Sequence, residues 1–187
     1  MRILVSLFAL LLLCNGGELL AQSVKPVLLK ENGDFPNNPK CALLLYKNVM
    51  DNNEADMASA LESLFNQHGW EPAWRNGIFS YHHYHSNTHE VLGIYSGSAE
   101  VMFGGPDGET LTVEAGDVVL IPAGVSHKNI SSSGALGVVG AYPQGRSWDM
   151  NRGKAAERPE ADKNIAAVPM PVQDPVLGKD GGLHKHW

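Results

Sequence analysis

Residues 81–97 read YHHYHSNTHEVLGIYSG, and four of the chain's eight histidines fall between positions 82 and 89. Imidazoles crowded beside a carboxylate, here Glu90, are the residue types that hold a divalent ion. In an extended chain alternate side chains share a face, so His83 and His85 project together while His82 and Tyr84 project the other way. Ser86-Asn87-Thr88 reads as a polar turn, after which Glu90 opens a further strand facing the two imidazoles. His127 offers one more donor. It follows GDVVLIPAG (116–124), where Pro122 and Gly124 mark a strand end and a tight turn. Three imidazoles and a carboxylate are borderline-hard donors suited to Fe, Mn, Ni, Co or Zn as the divalent metal ion. Four protein ligands leave positions for water or a substrate oxygen on an ion of higher coordination, unlike the closed shell of structural zinc.

The neighbouring residues divide by parity. Phe79 and Tyr81 share the face of His83 and His85, and Leu92 and Ile94 share the face of Glu90. Tyr81 is the candidate catalytic residue, because its hydroxyl could donate a hydrogen bond or a proton to a bound molecule. Trp74 and Arg75 are read as rim residues, with closure over an acidic ligand as the alternative. His82 and His89 are expected to be structural or solvent-facing, and His184 and His186 to bind metal only adventitiously. Cys41 precedes an apolar run and reads as a small buried hydrophobe.

These groups need a scaffold of strands. Cys41–Tyr46 reads as a strand, and residues 54–67 as an amphipathic helix capped by Asn53, with Met57, Leu61, Leu64 and Phe65 on its apolar face. From Trp70 onward short apolar runs recur between glycines, near 77–85, 90–95, 99–104, 110–114, 117–121 and 135–142. Many short strands at this spacing point to a sandwich or barrel rather than βαβ units. Residues 151–187 are Pro/Gly-rich and expected to be irregular.

Length, charge and the leader narrow the classes further. A chain of 187 residues suits one domain with a proper core. A net charge of −6, without a Lys/Arg cluster, argues against nucleic acid and anionic membrane surfaces as partners. Met1-Arg2, the apolar run Ile3–Leu13 and the break before Ala21 have the order of a secretory signal peptide over residues 1–22, which implies export to the periplasm or medium. An uncleaved anchor and a lipoprotein acylated at Cys14 are the alternatives. Without the leader Cys41 has no partner for an intramolecular disulfide.

Two blocks carry a family resemblance. Gly77, His83, His85, Glu90 and Gly97 resemble the first cupin motif at every signature position. Gly116, Pro122, Gly124 and His127 resemble the second through its histidine. Where the family often has an Asn four residues after that histidine, this chain has Ser131, with Asn129 nearby. The chain is also similar to a branch of small, largely uncharacterised single-domain bacterial cupins. That similarity lies in PNNP (36–39), WRNG and YHHYHS (74–77 and 81–86), GAYP (140–143) and DPVLGK (174–179). The resemblance implies an all-β fold, the cupin double-stranded β-helix or jelly-roll barrel over residues 23–150, with one short N-terminal amphipathic helix. It also implies His83, His85, Glu90 and His127 as metal ligands, and a homodimer. Three functions follow as expectations. The first is a metal-dependent enzyme of dioxygenase, isomerase or decarboxylase type acting on a small oxygenated molecule. The second is a non-catalytic binding or sensing module with an anchoring metal, and the third a scaffold with vestigial ligands.

Overall fold

The computed structural model describes residues 23–187; the expected leader at 1–22, with Cys14, lies outside the described residues. Among the described residues nine strands form two antiparallel sheets. In chain order they are β1 (Val24–Val27), β2 (Leu43–Tyr46), β3 (Trp74–Asn76), β4 (Glu90–Ser96), β5 (Ser98–Phe103), β6 (Glu109–Glu114), β7 (Val118–Ile121), β8 (His127–Ser132) and β9 (Gly137–Ala141). One sheet has the order β1-β2-β7-β4-β9-β3 and the other β6-β5-β8. β4, β7 and β9 are almost wholly buried, because both faces of the larger sheet are covered. This accounts for their near-continuous apolar runs.

The inner face of the large sheet meets the small one through Leu43, Leu45, Leu92, Ile94, Val101, Phe103 and Val119. Its outer face carries α1 (Met57–Gln67), which buries Met57, Ala58, Leu61 and Phe65 against Leu44, Val91, Val139 and neighbours. The helix thus forms from the expected apolar positions. Its N-cap is Asp56 rather than Asn53: the Asp56 carboxylate accepts from the Ser59 N–H at 3.1 Å, and Asn53 instead turns back onto Asp51.

Two further expectations need correction. Residues 77–85 do not form a continuous strand. His83 pairs with His127 while the next residue, Tyr84, pairs with Asn151. Because the backbone changes partner at each step, no ladder can propagate. β8, in contrast, is a strand that composition did not signal. It is a polar edge strand held by backbone bonds to β5, with a bulge between Glu100 and Val101.

The segment 151–187, expected to be irregular, is partly helical. After a 3-10 turn (Ala155–Glu157) come α2 (Arg158–Ala167) and a short α3 (Leu183–His186). α2 buries only Ala161, so its sequence shows no apolar periodicity. Glu157 starts it, its carboxylate accepting from the N–H groups of Arg152, Gly153 and Lys154. The end of the chain is fixed by Asp174, which is fully buried. Its carboxylate accepts from the N–H groups of Val176, Leu177 and Leu183 at 2.8–3.0 Å, and from the Tyr46 hydroxyl on β2.

His89 is a second anchor. It is buried, its Nδ1 accepts the Ala123 N–H at 3.0 Å, and its ring lies 4.6 Å from Trp187, centroid to centroid. Burial, reinforced by Arg146, pulls its pKa down to about 4. The unfolded chain therefore takes up this proton first, and the stability held above pH 6.5 is lost as pH falls toward 4. Between pH 7 and pH 4.5 the loss from this residue is about 2–3 kcal/mol. His89→Asn keeps an acceptor near the Nδ1 position but takes no proton. Its denaturant unfolding should therefore show an acid-induced loss smaller by that amount, and an unchanged loss would remove His89 as the cause.

Candidate metal centre

One end of the barrel opens into a cavity of about 320 Å³, and His83, His85, Glu90 and His127 all lie on its wall. Each is brought there by backbone bonding. Glu90, the first residue of β4, pairs with Ile121 of β7. His127 opens β8 and exchanges two backbone hydrogen bonds with His83, at 2.9 and 3.3 Å. The Gly124 N–H donates to the His85 carbonyl at 2.8 Å. Gly124 has a positive φ of 89°, and a Cβ there would strike the Asn37 carbonyl. The turn before His127 therefore requires glycine.

The four side chains are gathered but not drawn into a ready-made shell. Among the described residues no group of three or more His, Cys, Asp or Glu side chains meets that description. The His83 and His127 rings lie 4.0 Å apart, and His85 lies 5.8 and 6.1 Å from them, centroid to centroid. Glu90 is the hub. Its Oε1 accepts the Tyr142 hydroxyl at 2.9 Å, while Oε2 is buried and accepts no hydrogen bond. The Nε2 atoms of His127 and His85 stand 3.4 and 3.5 Å from that oxygen.

The other ring nitrogens decide which way the imidazoles face. Nδ1 of His83 meets the Tyr81 carbonyl at 3.2 Å, Nδ1 of His127 the Val125 carbonyl at 3.5 Å, and Nδ1 of His85 the Asp149 carbonyl. A carbonyl only accepts, so each Nδ1 carries a proton, and each ring, when neutral, presents its Nε2 lone pair. Three lone pairs and one orphaned carboxylate oxygen make a wall of acceptors. Two donor atoms about 2.1 Å from one ion stand about 3.0–3.4 Å apart for octahedral or tetrahedral angles, comparable to the Nε2–Oε2 separations here. The donor set fits a divalent cation.

Electrostatics point the same way. Burial alone would raise the Glu90 pKa, yet His85, His127 and the Tyr142 hydroxyl outweigh it and hold it down at about 2. Burial pulls His127 down to about 3 and also lowers His83. His85 moves upward, because the Glu90 carboxylate and the Asp149 carbonyl overcome its burial. His85 Nε2 stands 3.5 Å from the unbonded Oε2, an ion pair whenever that ring is protonated. The cluster therefore keeps one fixed negative charge that only a proton or a cation can balance.

The other expected residues are placed less uniformly. Trp74 and Arg75 do line the cavity, but Arg75 is held by both oxygens of Glu62 on α1, at 2.7 and 2.8 Å. Leu92 lines it as well, whereas Ile94 is buried between the sheets. Phe79 is on the wall. Tyr81 is not: it stacks on Phe79, and the Arg152 guanidinium lies 3.6 Å above its ring. The tyrosine beside the carboxylate is Tyr142 instead. Parity did group Phe79, Tyr81 and His83, whose rings meet at 4.9–5.6 Å, but the Tyr81 ring stays off the cavity wall. His82 packs on Phe35, away from the cluster, while His184 and His186 are exposed on α3. Cys41 is buried.

Sequence reading missed a strap after β9, residues 142–151, that brings Tyr142, Trp148 and Met150 to the cavity. The Asp149 carboxylate accepts from the Ser86 N–H at 2.6 Å, the Ser86 hydroxyl and the Asn151 amide at 2.8 Å, while Asn87 accepts from the Asp149 N–H. Nothing local marked these residues beyond a Trp in an otherwise polar stretch and the Tyr of GAYP. Asp149→Ala removes three charge-assisted bonds, each of which contributes about 1.5–3 kcal/mol. Amide exchange at residues 148–151 should accelerate about tenfold or more while that of β4 and β7 stays unchanged. Equal protection in the variant would rule out Asp149 as the strap's anchor.

A family model described as Cupin domain matches residues 75–137, which include all four clustered residues. An uncharacterized protein, YjlB, of Bacillus subtilis (strain 168) is 42% identical over 157 residues, covering 84% of this chain and 92% of its own. Among solved structures, an acireductone dioxygenase from Bacillus anthracis with cadmium ion in its active center aligns at TM-score 0.38 and 18% identity, over 53% of this chain and 68% of that one. A mutant of Bacillus subtilis oxalate decarboxylase aligns at TM-score 0.33 and 20% identity, over 60% of this chain and 24% of that one.

Proposed function

Because the chain belongs to the cupin family, we propose that it binds one divalent metal ion through His83, His85, Glu90 and His127 and acts through it on a small oxygenated molecule. The reaction classes that suit such a centre are dioxygenation, isomerisation and decarboxylation. The observation that carries this reading is Glu90 Oε2, a buried oxygen without a hydrogen bond that faces the Nε2 atoms of His127 and His85 at 3.4 and 3.5 Å. When bound, the ion supplies a Lewis acid or a centre for O2 chemistry.

The chain's own residues have distinct parts. Glu90 contributes the negative charge, and Tyr142 fixes the carboxylate by donating to Oε1. The carbonyls of Tyr81, Asp149 and Val125 orient the three imidazoles. Trp74 and Trp148 line the cavity beside the cluster. A second reading, a binding or sensing module without turnover, is favoured by one observation. Tyr142 is the tyrosine on the cavity wall, burial and Glu90 push its pKa above the ordinary range, and its proton is committed to Glu90. No other acid or base is free beside the cluster among the described residues that line the cavity. The ion would then do all of the chemistry or none.

Protein purified without a metal-affinity tag should carry about one divalent ion per chain by elemental analysis. Adding manganese or zinc to stripped protein at about 100 times its Kd should stabilise it by about 2.7 kcal/mol. Glu90→Gln, close in shape but uncharged, should lose most of the metal and of that stabilisation. Substoichiometric metal in the wild type, with no thermal shift on addition, would sink the metal reading. Oxygen uptake or product formation on a panel of small oxygenated compounds then separates enzyme from binding module.

A further inference from the structure

Resting on the metal reading, we infer that the ligand of this cavity is a flat hydrophobic molecule: an aromatic ring bearing two adjacent oxygen donors, rather than a sugar, a keto acid or a small dicarboxylate. The wall beyond the four-residue cluster is built from Trp74, Ile78, Phe79, Leu92, Trp148 and Met150. These offer ring faces, a thioether and methyl groups. Apart from the indole N–H groups they offer no hydrogen-bonding side chain.

The polar groups that share this wall are largely engaged with the protein or lie at its exposed rim. The Arg75 guanidinium is paired, through Nε and Nη2, with both oxygens of Glu62 and with the Ser59 hydroxyl. Asn76 is exposed at the rim, with its side-chain oxygen accepting from the Gly77 N–H. Tyr142 donates its only hydroxyl proton to Glu90. A polyol could place two oxygens at the ion but would bury its remaining hydroxyls without partners. Each such group weakens binding by about tenfold or more. A second carboxylate would meet no free cation on the wall. An aromatic diol leaves only a hydrophobic body to cover.

Two rings at the entrance support the same class. Phe79 is 44% exposed and Trp148 47% exposed, although both border the cavity. Trp148 tilts against His85 at 5.2 Å and against Tyr142 at 6.4 Å, while Phe79 meets His83 edge-on at 5.2 Å, centroid to centroid. A ring entering between them covers two aromatic surfaces that the fold leaves open, in offset or edge-to-face contact. A backbone position serves this wall as well. Gly140 on β9 lies under the Trp74 indole, which a Cβ would strike. A volume of about 320 Å³ is at the small end for ligand cavities and suits one or two rings.

The test uses the full chain loaded with zinc, which supports no redox turnover, and 4-nitrocatechol as probe. Binding is read by equilibrium dialysis, by quenching of tryptophan fluorescence and by the colour change of the chelated catechol. 4-Nitrocatechol should bind at least about tenfold more tightly than glucose, pyruvate or oxalate. Trp148→Ser and Phe79→Ser should each weaken it about tenfold, by dialysis, with zinc content unchanged. Equal or tighter binding of glucose, pyruvate or oxalate, or wall variants that bind as the wild type does, would overturn the inference. A chain that retains no zinc fails the metal reading separately. The wall is then tested on metal-free protein with 1,2-dimethoxy-4-nitrobenzene, which cannot chelate. Quenching that is weakened in Trp148→Ser and Phe79→Ser supports the aromatic-ligand wall, and its absence overturns it.

Discussion

The carboxylate of Glu90 is ionised and buried at one end of a β-barrel, and the arrangement around it follows from the need to offset that charge. Removing such a group from water costs several kcal/mol unless neighbours compensate. Here one oxygen receives a hydroxyl proton from Tyr142, while the other faces His85 and His127 without a hydrogen bond. The imidazoles cannot all supply protons, because each Nδ1 proton is directed to a backbone carbonyl. What balances the site is a positive charge held at the Nε2 side, whether a proton on His85 or a metal cation.

Several short motifs, scattered along the chain, hold this arrangement in place. In PNNP, Asn37 bonds to the carbonyls of Lys30 and Gly104 and accepts from the Ser126 N–H, while Asn38 donates to the Ala123 carbonyl. Both asparagines thus brace the turn that precedes His127. In GAYP, Gly140 makes room for Trp74 and Tyr142 reaches Glu90. In DPVLGK, Asp174 ties the end of the chain to β2 through Tyr46. The strap that carries Trp148 is tied down by Asp149 on Ser86 and Asn87, and α2 adds a bond from Asn164 to the Ser86 hydroxyl. The C-terminal region is therefore part of the wall and support of the cavity.

The cavity divides its labour between a small polar floor and an apolar wall. Hydrogen-bonding capacity is concentrated at the four-residue cluster, and the remaining polar side chains bordering it are largely engaged with the protein itself. Such a site gains affinity from ring faces and selectivity from two oxygen positions. This is the usual economy of small-molecule sites.

The sequence by itself determined the fold class, the four clustered residues and the helix face. The apolar runs of β4, β7 and β9 and the 3.6-residue spacing of Met57, Leu61 and Phe65 report burial directly, since burial selects side chains. The resemblance to the two cupin motifs picked out His83, His85, Glu90 and His127, which the structure brings to one cavity. What only the tertiary structure decided were features held by backbone or by distant partners. β8 is a polar edge strand whose bonds carry no side-chain signature, and residues 77–85 change backbone partner too often to be a strand. Parity chose Tyr81, which does meet His83, whereas Tyr142, far along the chain, reaches the carboxylate. Trp148 and Asp149 come from a segment whose composition reads as loop. Local periodicity records which face is buried, but it cannot record which remote residue arrives there, because that depends on how the two sheets and the returning strap close around one end of the barrel.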